Sequence, residues 1–132
     1  MLKPWAMIVL ALLAVPRAVL HDLDVIHERT FVNLLFVFVP LLAWVAAAVL
    51  TATAKPFLSL LIVGAIYGLG LALTHQIFWD HAITADAASR APEVVLRAFA
   101  FVSSLFTGLL TGAVTGLIAW GLDHLRGRRS TQ

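Results

Sequence analysis

Ten side chains able to hold a metal ion or move a proton fall into two short stretches of this sequence. His21, Asp22, Asp24, His27 and Glu28 form the first; His75, Asp80, His81, Asp86 and Glu93 form the second. Imidazole and carboxylate together suit divalent zinc, manganese, nickel or iron, and either group can pass a proton. On a helix, His21, Asp24 and Glu28 stand at i, i+3 and i+7 and share one face, with His27 beside them. If the two stretches meet, His21, Asp24, His27, Glu28, His75, Asp80 and His81 could surround one ion. The plainer reading is a solvated face, because spacings of three and four recur by chance and loop acids often cap helices. His75 and Gln76 are the most informative members, since polar groups set below a membrane interface must find partners.

The elements that would position these residues are apolar. Of the 132 residues 61% are hydrophobic and 12% charged, and the mean hydropathy is +0.98. A soluble domain carries about a quarter charged residues. Crossing the ~30 Å hydrocarbon layer takes about 20 mostly apolar residues. Four stretches qualify, at about 5–20, 31–52, 56–79 and 98–122. They leave no room for a separate soluble domain. The expected fold is therefore all-α, a four-helix integral membrane bundle forming one membrane domain over residues 1–132. Lys3 ahead of the apolar run 5–15 also resembles a signal peptide, but Pro16 would fall at the −3 position of the candidate cleavage after Ala18, which favours an uncleaved span.

Basic residues in short loops set orientation. Lys3, Lys55, Arg126, Arg128 and Arg129 share one side with Asp123, while Arg17, Arg29, Arg90 and Arg97 share the other with six acids. This places both termini in the cytoplasm of a multi-pass cell-membrane protein, with the His/carboxylate stretches outside. Trp5, Trp79 and Trp120 fall where indoles meet headgroups, Trp44 reads as a packing residue, and Pro40 should bend the second span. Arg17 is expected to snorkel outward. Leu20, Leu23 and Ile26 suggest a short surface helix or an extension of span one by two turns. Residues 89–93 read as a helix start, with Pro92 and Glu93 in the first turn.

The most specific pattern lies in span four, where Ser104, Gly108, Gly112 and Gly116 recur every four residues as a doubled GxxxG, a glycine zipper. Span three repeats it with Gly64, Gly68 and Ala72. Small residues at that spacing let helix backbones approach closely. The expected fold brings spans three and four into close glycine-mediated contact, and the functional reading gives one stripe to a homodimer or a partner membrane protein.

Several classes are excluded. The absence of cysteine rules out disulfides, thiolate metal sites and cysteine nucleophiles. No HExxH helix, GxSxG elbow, phosphate loop or dinucleotide fingerprint occurs. Ser103 and Ser104 have no base within helical reach and read as packing residues. The basic residues are too few for nucleic acid, and lipid headgroups are the simpler partner for them. No ionisable residue lies near the centre of a span, which argues against an antiporter built around a carboxylate in its first span.

The leading expectation is non-enzymatic: a small polytopic protein acting through helix packing, as a homo-oligomer or an accessory subunit of a membrane complex, with no cofactor. The alternative is an outward-facing His/Asp/Glu site for a divalent metal such as zinc or manganese, or for a small solute, feeding a transport path.

Overall fold

Long apolar runs offer the backbone no polar partner but itself, so helices are the outcome. The computed structural model describes residues 1–25 and 30–129. It contains α1 (Pro4–Asp22), α2 (Phe31–Leu50), α3 (Pro56–Ile77), two single turns α4 (Trp79–Ala82) and α5 (Ala85–Ala88), and α6 (Glu93–Arg129). No strand occurs among the described residues. α1, α2, α3 and α6 are each long and apolar enough to cross a membrane. Proline opens both α1 and α3, where its missing N–H costs nothing. Thr30 caps α2 by accepting from the Asn33 N–H at 3.2 Å.

The ends of all four long helices differ from the expected apolar stretches. α6 begins at Glu93, within the helix start expected at residues 89–93, and runs for 37 residues, past the apolar stretch 98–122 at both ends. Its first turn is held by an i,i+4 ion pair, Arg97 Nε to Glu93 at 2.7 Å, so polar ends that do not read as membrane span still propagate the helix. α3 ends at Ile77 and Trp79 begins α4. α1 is not extended by two turns. The Val25 N–H reaches back to the Leu20 carbonyl and the Asp24 N–H to that of His21, while Asp24 takes a left-handed φ of 56°. That is a Schellman stop with Asp24 at C′, and it removes Asp24 from the face expected to hold His21 and Glu28. Ile26, His27, Glu28 and Arg29 lie outside the described residues.

The same stop ends α2 at Leu50, ahead of the expected 52. The Thr53 N–H bonds the Ala48 carbonyl, the Ala52 N–H that of Val49, and Ala52 has φ 48°. A Cβ in that region costs about 1 kcal/mol, which glycine avoids. Ala52→Gly is therefore expected to stabilise the chain by about 0.5–1 kcal/mol, raising its unfolding midpoint in a denaturant titration; a lower midpoint would contradict this backbone geometry.

α3 is the central element. It packs along α6 and against α1, while α2 touches α1, α3 and α6. Half of the most apolar window of α3 is buried, against 11% for that of α6. The outer face of α6, including Phe99, Phe106 and Leu117, is exposed, as a lipid-facing surface requires. The contact between α3 and α6 is a glycine contact. Gly64 lies on Gly108 and Gly112, Gly68 on Ser104 and Leu105, and Gly116 on Phe57; Ala72 is fully buried. The stripe Ser104, Gly108, Gly112 and Gly116 is thus covered by this chain's own α3.

α2 runs unbroken through Pro40. Trp44, fully buried, donates its indole N–H to the Leu10 carbonyl at 2.7 Å and meets Tyr67 edge-on at 5.7 Å. The two ends of the bundle differ. At one, the Leu2 N–H donates to Ser59 Oγ at 3.1 Å and Arg126 Nη1 to the Val49 carbonyl at 3.2 Å, so the N-terminal residues and the end of α6 share that end. The other carries the ends of α1 and α3.

Candidate functional site

The inward face of α1 is a run of small residues. Met7, Ala11, Ala14 and Ala18 are buried at intervals of three and four, and the next position in the series is Asp22. Alanines let α1 approach α3 closely, so the last member of the stripe is carried into the bundle rather than out to water. The Asp22 side chain is 3% exposed, and its Oδ2 lies 2.7 Å from His75 Nδ1. His21 Nδ1 stands 3.7 Å from Asp22 Oδ1. A buried carboxylate needs such partners, because its desolvation is costly when unpaired.

Above this pair a cavity of about 220 Å³ opens between α1, α3 and α6. α1 contributes Arg17, His21 and Asp22; α3 contributes Tyr67 and His75; α6 contributes Ser103, Ser104 and Thr107. From His75 to Tyr67 is eight residues, or ~12 Å along a helix rising 1.5 Å per residue, so the cavity reaches two turns into the bundle.

Arg17 finds its partner on α2. Its Nε donates to Asn33 Oδ1 at 2.9 Å, and Asn33 is itself buried near the start of α2. No described carboxylate lies within ion-pair distance of Arg17. The α6 hydroxyls are turned to their own helix: Ser103 and Ser104 donate to the Ala100 carbonyl at 3.1 and 2.7 Å, and Thr107 to that of Ser103 at 2.9 Å. They therefore show the cavity oxygen lone pairs rather than O–H donors.

A second polar knot ties the end of α3 to the start of α6. Gln76 Nε2 donates to the Arg97 carbonyl at 3.1 Å, and Arg97 Nη1 returns to Gln76 Oε1 at 3.1 Å. The Arg97 guanidinium also covers the buried Trp79 ring, 4.6 Å from its centroid. Both His75 and Gln76 thus have partners, as polar groups at that depth require.

Of the seven residues expected as metal ligands, His21 and His75 flank the same carboxylate. Asp24, Asp80 and His81 are exposed and do not line the cavity; His27 and Glu28 lie outside the described residues. Among the described residues no three His, Asp or Glu side chains converge as metal ligands would. The sequence reading missed Asp22, Arg17, Asn33 and Tyr67 as site residues. The signal for Asp22 was present in the alanine spacing of α1, which fixes the inward face; Tyr67 and Asn33 had no comparable mark. Comparison with protein-family models, with curated proteins and with solved structures gave no match.

Proposed function

We propose that this chain is a multi-pass membrane protein with both termini cytoplasmic, and that it binds a small polar solute in the cavity between α1, α3 and α6 as the entry step of a transport path. The observation that carries this reading is the buried Asp22 carboxylate, bonded to His75 across two helices at the wall of a cavity. An ionisable pair at that depth is expensive to keep, and in membrane proteins such pairs mark solute or proton pathways. The basic residues Lys3, Lys55 and Arg126 lie at or near the opposite end, which supports an outward-facing cavity.

The expectation of assembly through the Ser104/Gly108/Gly112/Gly116 stripe loses its free surface, since α3 occupies it. A homo-oligomer or a partner subunit would have to use the outer face of α6.

The test is a thermal-unfolding screen of the purified chain in lipid nanodiscs against acetate, inorganic phosphate, tetramethylammonium, glucose, zinc and manganese. At least one solute is expected to raise the midpoint of the wild type by several degrees, with the shift lost in Asp22→Asn. No shift from any class, or shifts that survive Asp22→Asn unchanged, would overturn the binding reading.

A further inference from the structure

Three side chains on the cavity wall keep hydrogen-bonding atoms that have no partner among the described residues. Arg17 uses only its Nε, toward Asn33, so Nη1 and Nη2 are unengaged. His75 uses only Nδ1, toward Asp22, and its side chain keeps 30% exposure. The Tyr67 ring is buried, yet its hydroxyl makes no bond to any described residue while the side chain lines the cavity. Among the described residues no buried side-chain nitrogen or oxygen lacks a partner, so the open donors of Arg17 and Tyr67 face the cavity itself, where a ligand that accepts hydrogen bonds would meet them.

The charges lead to the same class of ligand. Asp22 is bonded at Oδ2 by His75 at 2.7 Å, and His21 Nδ1 stands 3.7 Å from Oδ1. Arg17 has no described acid beside it. The cation is therefore the open member, and a guanidinium presents paired N–H groups that match two oxygens of one anion.

His75 adds a constraint. A carboxylate bonded to Nδ1 fixes the proton there, so Nε2 of the neutral ring carries a lone pair. An oxyanion oxygen brought against that lone pair is repelled unless a proton lies between them. The proton comes either from water, converting His75 to imidazolium, or from the acid form of the ligand. In both cases one anion and one proton are bound together, and no other bond is made or broken. The other titratable or charged groups facing His75 are Arg17, His21 and Asp22 from α1 and Tyr67 from α3; α6 presents only the hydroxyls of Ser103, Ser104 and Thr107.

Resting on the solute-binding reading above, we infer that the cavity takes a small oxyanion, a carboxylate or a phosphate, together with one proton, with Arg17 as the anion clamp and His75 as the proton acceptor. The 220 Å³ volume is well above the ~10–15 Å³ that one water requires, which suits an ion of a few heavy atoms. The same oxyanion chemistry is offered by a free solute and by the headgroup of an anionic lipid.

The experiment uses the full chain in phosphatidylcholine nanodiscs, titrated calorimetrically with sodium acetate or sodium phosphate in two buffers of different ionisation enthalpy. A parallel sample replaces a fifth of the lipid by phosphatidylglycerol, reading its effect on thermal unfolding. Binding of acetate or phosphate is expected, with close to one proton taken up from the solvent per anion bound as acetate, since acetate carries none. Arg17→Gln should weaken binding at least tenfold, and Tyr67→Phe, which keeps the charge and shape of the cavity, by several-fold. His75→Gln should abolish the buffer dependence. A stabilising effect of phosphatidylglycerol alone, lost in Arg17→Gln, would identify the headgroup as the source. Failure of every oxyanion arm overturns the inference, as does acetate binding with no proton uptake, or anion binding with no loss in both Arg17→Gln and Tyr67→Phe. If tetramethylammonium, glucose or a metal shifts the wild type in an Asp22-dependent way while the oxyanions do not, the solute-binding reading stands and the anion assignment falls.

Discussion

Gly112→Ile is expected to unfold the α3–α6 pair within a single chain, lowering stability by about 3 kcal/mol or more, the upper end for overpacking. A Cβ at Gly112 would stand 2.5 Å from the Leu60 carbonyl oxygen, 2.9 Å from Gly64 Cα and 3.1 Å from Leu61 Cα. All three obstacles are backbone, so no rotamer change relieves them, and the helices must separate. Separation also exposes the neighbouring contacts of Gly64 on Gly108 and of Gly68 on Ser104. Gly121→Ile is the control, because nothing lies within 4 Å of its Cβ position and only helix propensity changes, by well under 1 kcal/mol. The measurement is reversible unfolding in mixed micelles, with crosslinking in lipid as a separate readout. If Gly112→Ile matches Gly121→Ile in stability and differs only in crosslinking, the stripe serves a second protein and not α3.

The second large effect concerns the His75–Asp22 pair. His75→Leu is expected to destabilise the chain by about 2–3 kcal/mol, because it leaves a carboxylate that is 3% exposed without its strongest partner. The value lies below the 3–5 kcal/mol typical of fully buried pairs, since His75 retains partial exposure and His21 remains 3.7 Å away. The double variant His75→Leu/Asp22→Leu removes both the carboxylate and its need for a partner. It should recover to within about 1 kcal/mol of the wild type, as buried pairs exchanged for apolar groups commonly do. A double variant at least as unstable as the sum of the two singles would show that the pair does more than satisfy itself. The same double variant should bind no oxyanion, which separates what the pair contributes to folding from what it contributes to function.

Much of the fold was legible because a membrane span is a one-dimensional object. Its length and apolarity are local properties of the sequence, and the four long helices fall where hydropathy places them. The discrepancies sit at helix ends, where the deciding interactions are not hydrophobic. Ala52 and Asp24 adopt left-handed conformations that neither residue advertises as a glycine would. α6 runs beyond its apolar core because Arg97 and Glu93 pair along it.

The candidate site was less legible, for a reason specific to helices. Whether a side chain points inward depends on rotation about the helix axis, and in an all-apolar span the hydrophobic pattern does not fix that rotation. Only the small residues do. In α1 they put Asp22 inside, whereas a reading based on the polar spacing of His21, Asp24 and Glu28 chose a face that leaves Asp22 out. Arg17 illustrates a related difficulty: its long stem can reach several partners, and the one it finds is Asn33, sixteen residues away on another helix.

By itself, then, the sequence determined that the chain is helical, how many helices could cross a membrane, and that α3 and α6 carry surfaces made for close contact. These follow from residue size and polarity read along the chain. The tertiary structure alone decided that the glycine stripe is filled by α3 of the same molecule, and that Asp22, His75, Arg17 and Tyr67 meet at one cavity. Those outcomes depend on how four helices are rotated and registered against one another, which is set by packing between residues far apart in the sequence.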